Sequence, residues 1–213
     1  MSIKLKHSGG NSVSLNPPTS APTSSEVAFK LPTSDGSAGQ VLQTDGSGNL
    51  SWVNPSPITV ANTWRLTNSD THMMEGVNSV ITANWAEDTT TSYGKIGSSL
   101  SQSSGVFTFP TTGMYLIIDH FTIEIGNADD YGANVYMEVT SDGTNFAFAN
   151  IARTGGGLNG EHSTTSGHSF FDVTNTSTHK IRFQTDSFAA NTRLRSYANA
   201  KSSYFTAIRI GDT

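Results

Sequence analysis

The side chains best suited to bind a metal ion are a pair of histidines and a pair of aspartates. His162 and His168 lie six residues apart beside Glu161, and imidazole with carboxylate is a typical ligand set for transition metals. Asp129 and Asp130 offer the oxygen ligands that calcium prefers. Neither motif has a third fixed ligand, so we interpret the histidines as solvated loop residues and the aspartates as a hairpin turn. We therefore expect no cofactor, with calcium at the two aspartates as a weak alternative.

Catalytic motifs are absent from the sequence. Asp119, Glu124 and Glu138 are the carboxylates that a glycosidase could pair, but all three fall within predicted strands. No serine lies in a nucleophile elbow, and there is no cysteine to act as a nucleophile. We therefore predict that the protein is not an enzyme.

Two connections carry side chains that are typical of recognition surfaces. Residues 154–160 are rich in glycine, and residues 187–202 hold aromatic and arginine side chains among small residues. On a β-scaffold such side chains bind sugars by stacking or proteins by anchoring. The alternative is that Phe188 and Tyr197 cap the sandwich or pack between subunits. The candidates for a receptor-binding surface are Phe188, Arg193, Arg195, Tyr197, Leu158 and Asn159.

The elements that must position these residues are β-strands. Residues 58–213 alternate β-rich runs with turn clusters, and about ten strands in a segment of this length are typical of a sandwich or barrel. In one strand Val135 and Met137 share one face while Asn134 and Tyr136 share the other. No stretch shows the period of an amphipathic helix. We predict strands near 63–66, 80–85, 94–96, 105–109, 113–125, 133–140, 145–153, 168–173, 180–186 and 203–210.

The strand near 113–125 has apolar side chains on both faces between Met114 and Ile118. Such a pattern predicts burial on both faces. In a two-sheet sandwich the second face needs a cover, and a neighbouring subunit is the simplest one.

The first 57 residues differ in composition, since they hold six of the seven prolines. Residues 16–25 contain no apolar side chain larger than alanine and are predicted to be an extended linker. Asp45 and the glycines after it lie between the short apolar runs 40–43 and 50–53, which predicts a small hairpin. An isolated hairpin is marginal in water, so it needs other copies or a docking surface. We divide the chain into an anchoring and trimerisation arm, 1–57, and a head domain, 58–213.

Charge and composition exclude several kinds of partner. The net charge is −5 and the basic residues are scattered, which argues against nucleic acid. No apolar run approaches the length of a membrane span, and no apolar segment follows the lysines near the N-terminus, so we expect neither membrane insertion nor a signal peptide.

The run Gly105-Val-Phe-Thr-Phe-Pro-Thr-Thr-Gly-Met-Tyr115 resembles the G-x-F-x-x-P-x-x-G-x-Y pattern of complement-type globular heads, which share the tumour-necrosis-factor-like jelly roll. The closing run 203–210 is similar to that family's last strand, except that Thr206-Ala207 replaces its usual glycine. The resemblance covers about residues 60–211. It implies an all-β jelly-roll sandwich and a homotrimer.

The N-terminal runs MSIKLKHSGGNSVSLNPP and LPTSDGSAGQVLQTDGSGNLSWV resemble segments of virion proteins from tailed phages, especially phages of marine cyanobacteria. In such proteins the N-terminal segment usually fixes a trimer to the particle. The candidates for virion anchoring are Ile3, Leu5, Val13, Leu15, Val27 and Phe29. The candidates for the trimer contact or the hairpin are Val41, Leu42, Leu50, Trp52, Tyr115, Ile117 and Phe205.

These features lead to two hypotheses of different classes. The first is a virion attachment protein, assembled in the host cytoplasm and exposed on the particle, whose arm binds other virion proteins and whose trimeric head binds a host glycan or protein. Avidity then makes weak single sites sufficient. The second is a capsid or tail decoration protein, in which the arm itself staples virion components together.

Overall fold

The computed structural model of the chain describes residues 3–23, 26–55, 58–68, 73–89, 94–126, 130–198 and 200–213. These residues contain strands and turns but no helix, and the chain divides into two compact units between residues 56 and 57. The strands are β1 (Ile3–Lys6), β2 (Ser12–Leu15), β3 (Val41–Thr44), β4 (Leu50–Val53), β5 (Ala61–Leu66), β6 (Trp85–Glu87), β7 (Ser101–Ser103), β8 (Val106–Thr108), β9 (Gly113–Glu124), β10 (Asp130–Thr140), β11 (Ala147–Gly156), β12 (His162–Val173), β13 (Lys180–Asp186), β14 (Arg193–Leu194) and β15 (Tyr204–Gly211).

The N-terminal unit contains two antiparallel hairpins. The predicted one is confirmed: β3 pairs with β4, and Leu42 lies opposite Trp52. The Asp45 carboxylate closes its turn by accepting hydrogen bonds from the backbone N–H groups of Ser47 (2.8 Å) and Asn49 (3.1 Å). The second hairpin, β1 with β2, was not predicted as a strand pair.

The C-terminal unit is a sandwich of two antiparallel sheets. The first sheet has the order β12-β9-β15-β5-β6, and β14 also pairs with β9. The second sheet has the order β11-β10-β13-β8-β7. The predicted all-β sandwich is thus confirmed, and β13 coincides with its predicted bounds.

An aromatic cluster joins the two sheets. Phe205 of the first sheet lies 4.7 Å from Phe107 and 4.9 Å from Phe183 of the second, measured between ring centroids. Trp85 packs edge-on against Phe107 at 5.3 Å and donates its indole N–H to the Ile81 carbonyl oxygen at 2.9 Å. All three phenylalanines are fully buried. Offset and edge-on ring pairs add about 0.5–1.5 kcal/mol each beyond the burial of apolar area.

The structure explains the spacing of the motif that runs from Gly105 to Tyr115. Gly105 has φ 77°, and a Cβ there would lie 2.1 Å from the Ile81 carbonyl oxygen, so the tight turn between β7 and β8 requires glycine. Gly113 has φ 140°, and a Cβ would lie 2.4 Å from Nε of Arg209. Tyr115 is buried, and its hydroxyl donates to the Thr111 carbonyl oxygen at 3.0 Å, which closes the turn before β9.

Three predicted elements differ from the structure. Residues 162–167 are not a loop but the first half of β12, because they pair with β9 along its whole length. The strand predicted near 80–85 is reduced to a single bridge at Val80, and β6 begins only at Trp85. The strand predicted near 94–96 is one bridge between Ile96 and Ala61.

Asp119 is a buried carboxyl within the core side of β9. Its oxygens accept hydrogen bonds from Nδ2 of Asn150 (2.8 Å) and from the backbone N–H of Gly167 (2.9 Å), so it joins three strands, β9, β11 and β12. A side chain at Gly167 would collide with Asn150, since a Cβ would lie 2.3 Å from its Nδ2. Burial raises the pKa of Asp119 above its usual value, although the two hydrogen bonds oppose this change.

Replacing Asp119 tests this buried contact. Asp119→Ala leaves the Asn150 amide and the Gly167 N–H without an acceptor, so we expect a loss of about 2 kcal/mol in the free energy of unfolding. The folded state holds the Asp119 proton more tightly than the unfolded chain does. The contribution of Asp119 to the free energy of unfolding therefore falls as pH rises through its raised pKa. Asp119→Asn should remove that part of the pH dependence. Urea unfolding at a series of pH values measures both effects.

The matched control is Asp172→Asn, which changes an exposed aspartate on β12 of the same sheet. We expect this variant to keep the urea midpoint of the unchanged protein. An Asp119→Ala protein as stable as this control would contradict the role assigned to the carboxyl.

Candidate functional site

The outer face of the first sheet has an apolar centre. Its outward side chains include Met114, Leu116 and Ile118 on β9, Phe170 on β12 and Ile208 on β15, which we call the apolar face. In the strand register Leu116 lies between Phe170 and Ile208, so the three form one row across the sheet. Ile118 is 39% exposed and Phe170 is 65% exposed. Exposed apolar patches of this kind mark interaction sites.

The apolar face corrects part of the predicted trimer contact. Tyr115, Ile117 and Phe205 are fully buried inside their own sandwich, so they cannot contact another subunit. Because side chains alternate along a strand, it is their neighbours Met114 and Leu116 that point outward. The two faces of β9 are both apolar, and sequence alone could not tell which of them belongs to the core.

A charged cluster lies at the other end of the same outer face. Glu124 pairs across the sheet with His162 on one side and Arg193 on the other. Its carboxylate accepts hydrogen bonds from Arg193 and from Nη1 of Arg195, the latter at 2.8 Å, and lies 3.4 Å from Nε2 of His162. Arg193 also lies 3.6 Å from the carboxylate of Glu75. The apolar face is therefore bounded at one end by paired charges.

The arginines determine the ionisation of this carboxylate. Burial alone would raise the pKa of Glu124, but the hydrogen bond from Arg193 and the charges of Arg193 and Arg195 lower it below its usual value. Glu124 is therefore ionised throughout the neutral range, and the two arginines are held by the chain itself.

The predicted receptor-binding residues of 187–202 divide between core and surface. Phe188 is only 4% exposed and belongs to the core, so its assignment to a receptor surface was wrong. Arg193 and Arg195 are mostly covered by their pairing with Glu124. Tyr197 does reach the surface, and its hydroxyl accepts a hydrogen bond from Nη2 of Arg195 at 2.8 Å.

The other two receptor-surface candidates lie at a loop tip between β11 and β12. Leu158 is 70% exposed, and Asn159 beside it is exposed as well. The base of the loop is fixed, since the Ile125 N–H donates to the Glu161 carbonyl oxygen at 2.8 Å. A fixed base with an exposed tip suits contact with a partner.

The structure does not assemble a metal site from the described residues, in which no three His, Asp or Glu side chains converge. His162 and His168 are six residues apart on one strand, which separates them by about 20 Å. Asp130 is buried and accepts hydrogen bonds from the Thr192 hydroxyl and the Ala189 N–H, so it fixes the loop before β14. Asp129 lies outside the described residues.

The three strand carboxylates do not form a catalytic pair. Asp119 points into the sandwich, whereas Glu124 points outward from the same strand. Glu138 lies in the second sheet and pairs with Nε of Arg182 at 2.5 Å. No two of these carboxylates are placed to flank one substrate.

The arm candidates are exposed where the structure describes their side chains. Leu5, Leu15, Val27 and Phe29 are each more than half exposed, and Val41, Leu42 and Trp52 of the hairpin also reach the surface. Ile3 and Val13 belong to β1 and β2, and Leu50 is half-buried on β4. Exposed apolar surfaces of this kind often mark interaction sites.

Sequence reasoning missed a second exposed surface, on the outer face of the second sheet. Phe148 and Ile151 on β11 are 60% and 57% exposed. The alternation in β10 had placed Tyr136 on this face, but β11 has no clear alternation because a bulge interrupts its pairing with β10.

No helix in the described residues is long and apolar enough to cross a membrane.

The Glu124 cluster yields a testable prediction. Glu124→Gln leaves Arg193 and Arg195 close together without their shared carboxylate, so we expect a loss of roughly 2–3 kcal/mol in unfolding free energy at neutral pH, somewhat less than for a fully buried pair. The pKa of Glu124 is lower in the folded state than in the unfolded chain. Its contribution to the free energy of unfolding is therefore fully present above the pKa of the unfolded chain and is lost as pH falls through the folded-state pKa. Thermal unfolding at pH 7 and pH 3 measures this, with the exposed Glu161→Gln as control. An equal melting temperature for both variants at pH 7 would contradict the prediction.

No protein-family model matches the sequence, and no curated protein sequence matches it. Solved structures do match the fold. Murine APRIL at pH 5.0 matches at 9% identity over 70% of this chain and 98% of that chain, with a TM-score of 0.51. Eiger TNF from S. frugiperda matches at 13% identity over 74% of this chain and 96% of that chain, with a TM-score of 0.54. At such identities the similarity shows the fold alone, and the sandwich of this chain is a TNF-like jelly roll.

Proposed function

We propose that this chain is a non-enzymatic virion protein of a tailed phage that attaches the particle to its host. Three copies associate through their jelly-roll heads, the N-terminal unit binds other virion proteins, and the heads contact a glycan or protein of the host surface. The protein acts on the extracellular particle after assembly in the host cytoplasm.

The observation that carries the proposal is the apolar face. Met114, Leu116, Ile118 and Ile208 form an outward apolar surface, and the register places Asp172 beside Met114 and His168 beside Ile118 at its β12 edge. A second copy of the chain would bury this surface, and apolar burial stabilises association by about 25 cal/mol per Å². The resemblance to trimeric virion proteins favours three copies over two.

The N-terminal unit supports the anchoring role. Leu5, Leu15 and Phe29 expose most of their surface: the hairpin that carries Leu5 and Leu15 is too small to bury them, and Phe29 lies outside the strands. A partner that covers these side chains would order the segment and gain their apolar area. The resemblance of this segment to phage virion proteins suggests that the partner belongs to the particle.

The same exposed side chains also favour the second candidate, a capsid or tail decoration protein. In that function the N-terminal unit would hold virion components together and the head would be secondary. Particles assembled without the chain distinguish the two: intact particles that fail to adsorb indicate attachment, whereas particles that fall apart indicate decoration.

Ile118→Asp tests the proposed association. It places three carboxylates in the interface of a trimer, each of which costs several kcal/mol if buried without a partner. We expect light scattering to give the mass of a trimer for the unchanged full chain and of a monomer for the variant. Adsorption to a panel of marine cyanobacterial strains should fall by about 100-fold with the loss of avidity.

The control is Leu158→Asp, which adds the same charge at an exposed loop tip, and it should remain trimeric. A monomeric unchanged chain, or a trimeric Ile118→Asp variant, would contradict association through the apolar face. A trimer that adsorbs to none of the strains would contradict the attachment function.

A further inference from the structure

The outer face of the second sheet is a regular array of side chains set by the strand register. On β10, Asn134, Tyr136 and Glu138 point outward, and each has a cross-strand neighbour on β11 and on β13. The three rows that result are Arg153, Asn134 and Asp186; Ile151, Tyr136 and Gln184; and Phe148, Glu138 and Arg182. β10 is paired on both sides, with β13 along one edge and with β11 along the other, where a bulge lies between Met137 and Glu138.

Tyr136 lies at the centre of this array and is partly exposed, and Phe148 of the edge strand β11 stacks on it. The Tyr136 and Phe148 rings lie 4.4 Å apart between centroids, with 30° between their planes. Phe148 and its neighbour Ile151 are each more than half exposed. A rigid ring pair loses little entropy when a flat apolar surface packs on it.

Hydrogen-bonding groups surround the rings. The Tyr136 hydroxyl and the Asn134 amide both donate to Oδ2 of Asp186, each at 3.2 Å, which fixes the direction of that carboxylate. Arg153 donates from Nε to Oδ1 of Asn134 at 2.9 Å. Within the described part of the chain, the terminal nitrogens of Arg153 and the side-chain amide of Gln184 make no hydrogen bond. The terminal nitrogens of Arg153 and the Gln184 amide are available to a ligand, whereas Oδ2 of Asp186 already accepts from Asn134, Tyr136 and the Ser187 hydroxyl.

The array carries no net charge. Asp186 and Glu138 balance Arg153 and Arg182, and the Glu138–Arg182 pair is closed, with the guanidinium 3.9 Å above the Phe146 ring. A polyanion would gain nothing from equal numbers of acids and bases. From β11 to β13 the array measures about 10 Å.

We propose that this array, defined by Tyr136, Phe148, Ile151, Arg153, Gln184 and Asp186, binds an uncharged saccharide. The C–H face of a sugar ring packs on the exposed face of Phe148, while its hydroxyl groups accept from Arg153 and from the Gln184 amide nitrogen and donate to the Gln184 amide oxygen. The inference rests on the proposed attachment function and specifies the chemistry of the host ligand. The array lies on the sheet opposite the apolar face, so association of the heads leaves it open, and three weak sites act together.

The test measures binding of the full chain to an array of immobilised oligosaccharides. The array displays neutral hexose and N-acetylhexosamine oligomers beside sialylated and sulfated ones. We expect binding to neutral oligomers, with a loss of about tenfold or more for Phe148→Ala and for Arg153→Ala. Phe148 is largely exposed, so its truncation should leave the melting temperature unchanged, and measuring that temperature separates a lost contact from a lost fold.

Ile210→Ala is the matched control, since it removes an exposed apolar side chain from β15, on the sheet opposite the array. It should bind as the unchanged chain does. Three results would overturn the proposal: no neutral oligomer binds, binding occurs only to the acidic oligomers, or Phe148→Ala binds as well as the control. A change of mass in solution on Phe148→Ala, without any saccharide binding, would assign the array to a second copy of the chain and would overturn it too.

Adsorption to cyanobacterial cells separates this proposal from the attachment function. If the unchanged chain and Phe148→Ala adsorb equally, attachment holds and the saccharide site is wrong. If neutral oligomers bind through Phe148 but no strain adsorbs the chain, the site holds and the attachment function is wrong.

Discussion

The contact between Phe107, Phe183 and Phe205 is the constraint on which the rest of the head depends. These rings come from three strands in two sheets and meet at the centre of the sandwich. Once they face inward, the alternation of side chains fixes every other residue of the same strands to the core or to the outside. A shift by one residue in β15 would expose Phe205 and bury the polar Thr206, so the cluster also holds the register.

That constraint produces two outer faces of different chemistry. On β9 and β15 the outward positions hold Leu116 and Ile208, whereas on β10 and β13 they hold Tyr136 and Asp186. Association through the first surface is favourable only because its apolar side chains are removed from water, and any apolar partner can provide this. The second offers directed hydrogen bonds, which reward one arrangement of ligand groups over others. The proposed self-association and the proposed recognition therefore lie on opposite sheets, which differ in the chemistry of their side chains.

Sequence reasoning succeeded where local pattern decides the outcome. β13 and the alternation of Val135 with Asn134 follow from period-two patterning, and the hairpin at Asp45 follows from its turn residues. Sequence reasoning failed where contacts with residues distant in the chain determine the structure. Phe188 resembles any other loop aromatic until the core that receives it is known, and residues 162–167 form a strand only because β9 lies beside them. Of the receptor-surface candidates, Leu158 and Tyr197 are exposed. Phe148 was not among the candidates, because no local signal separates an exposed strand phenylalanine from a buried one.

The charged cluster around Glu124 gives the proposed assembly a direction. Removing paired charges from water is costly, so an association that buries the apolar face gains most when Glu124 and Arg193 remain at its rim. The position of the cluster at one end of β9 therefore favours contact near Leu116 and disfavours contact that slides toward Glu124. A uniformly apolar face would permit several registers between copies. In the proposed association, the apolar centre together with the charged end at Glu124 selects among these registers.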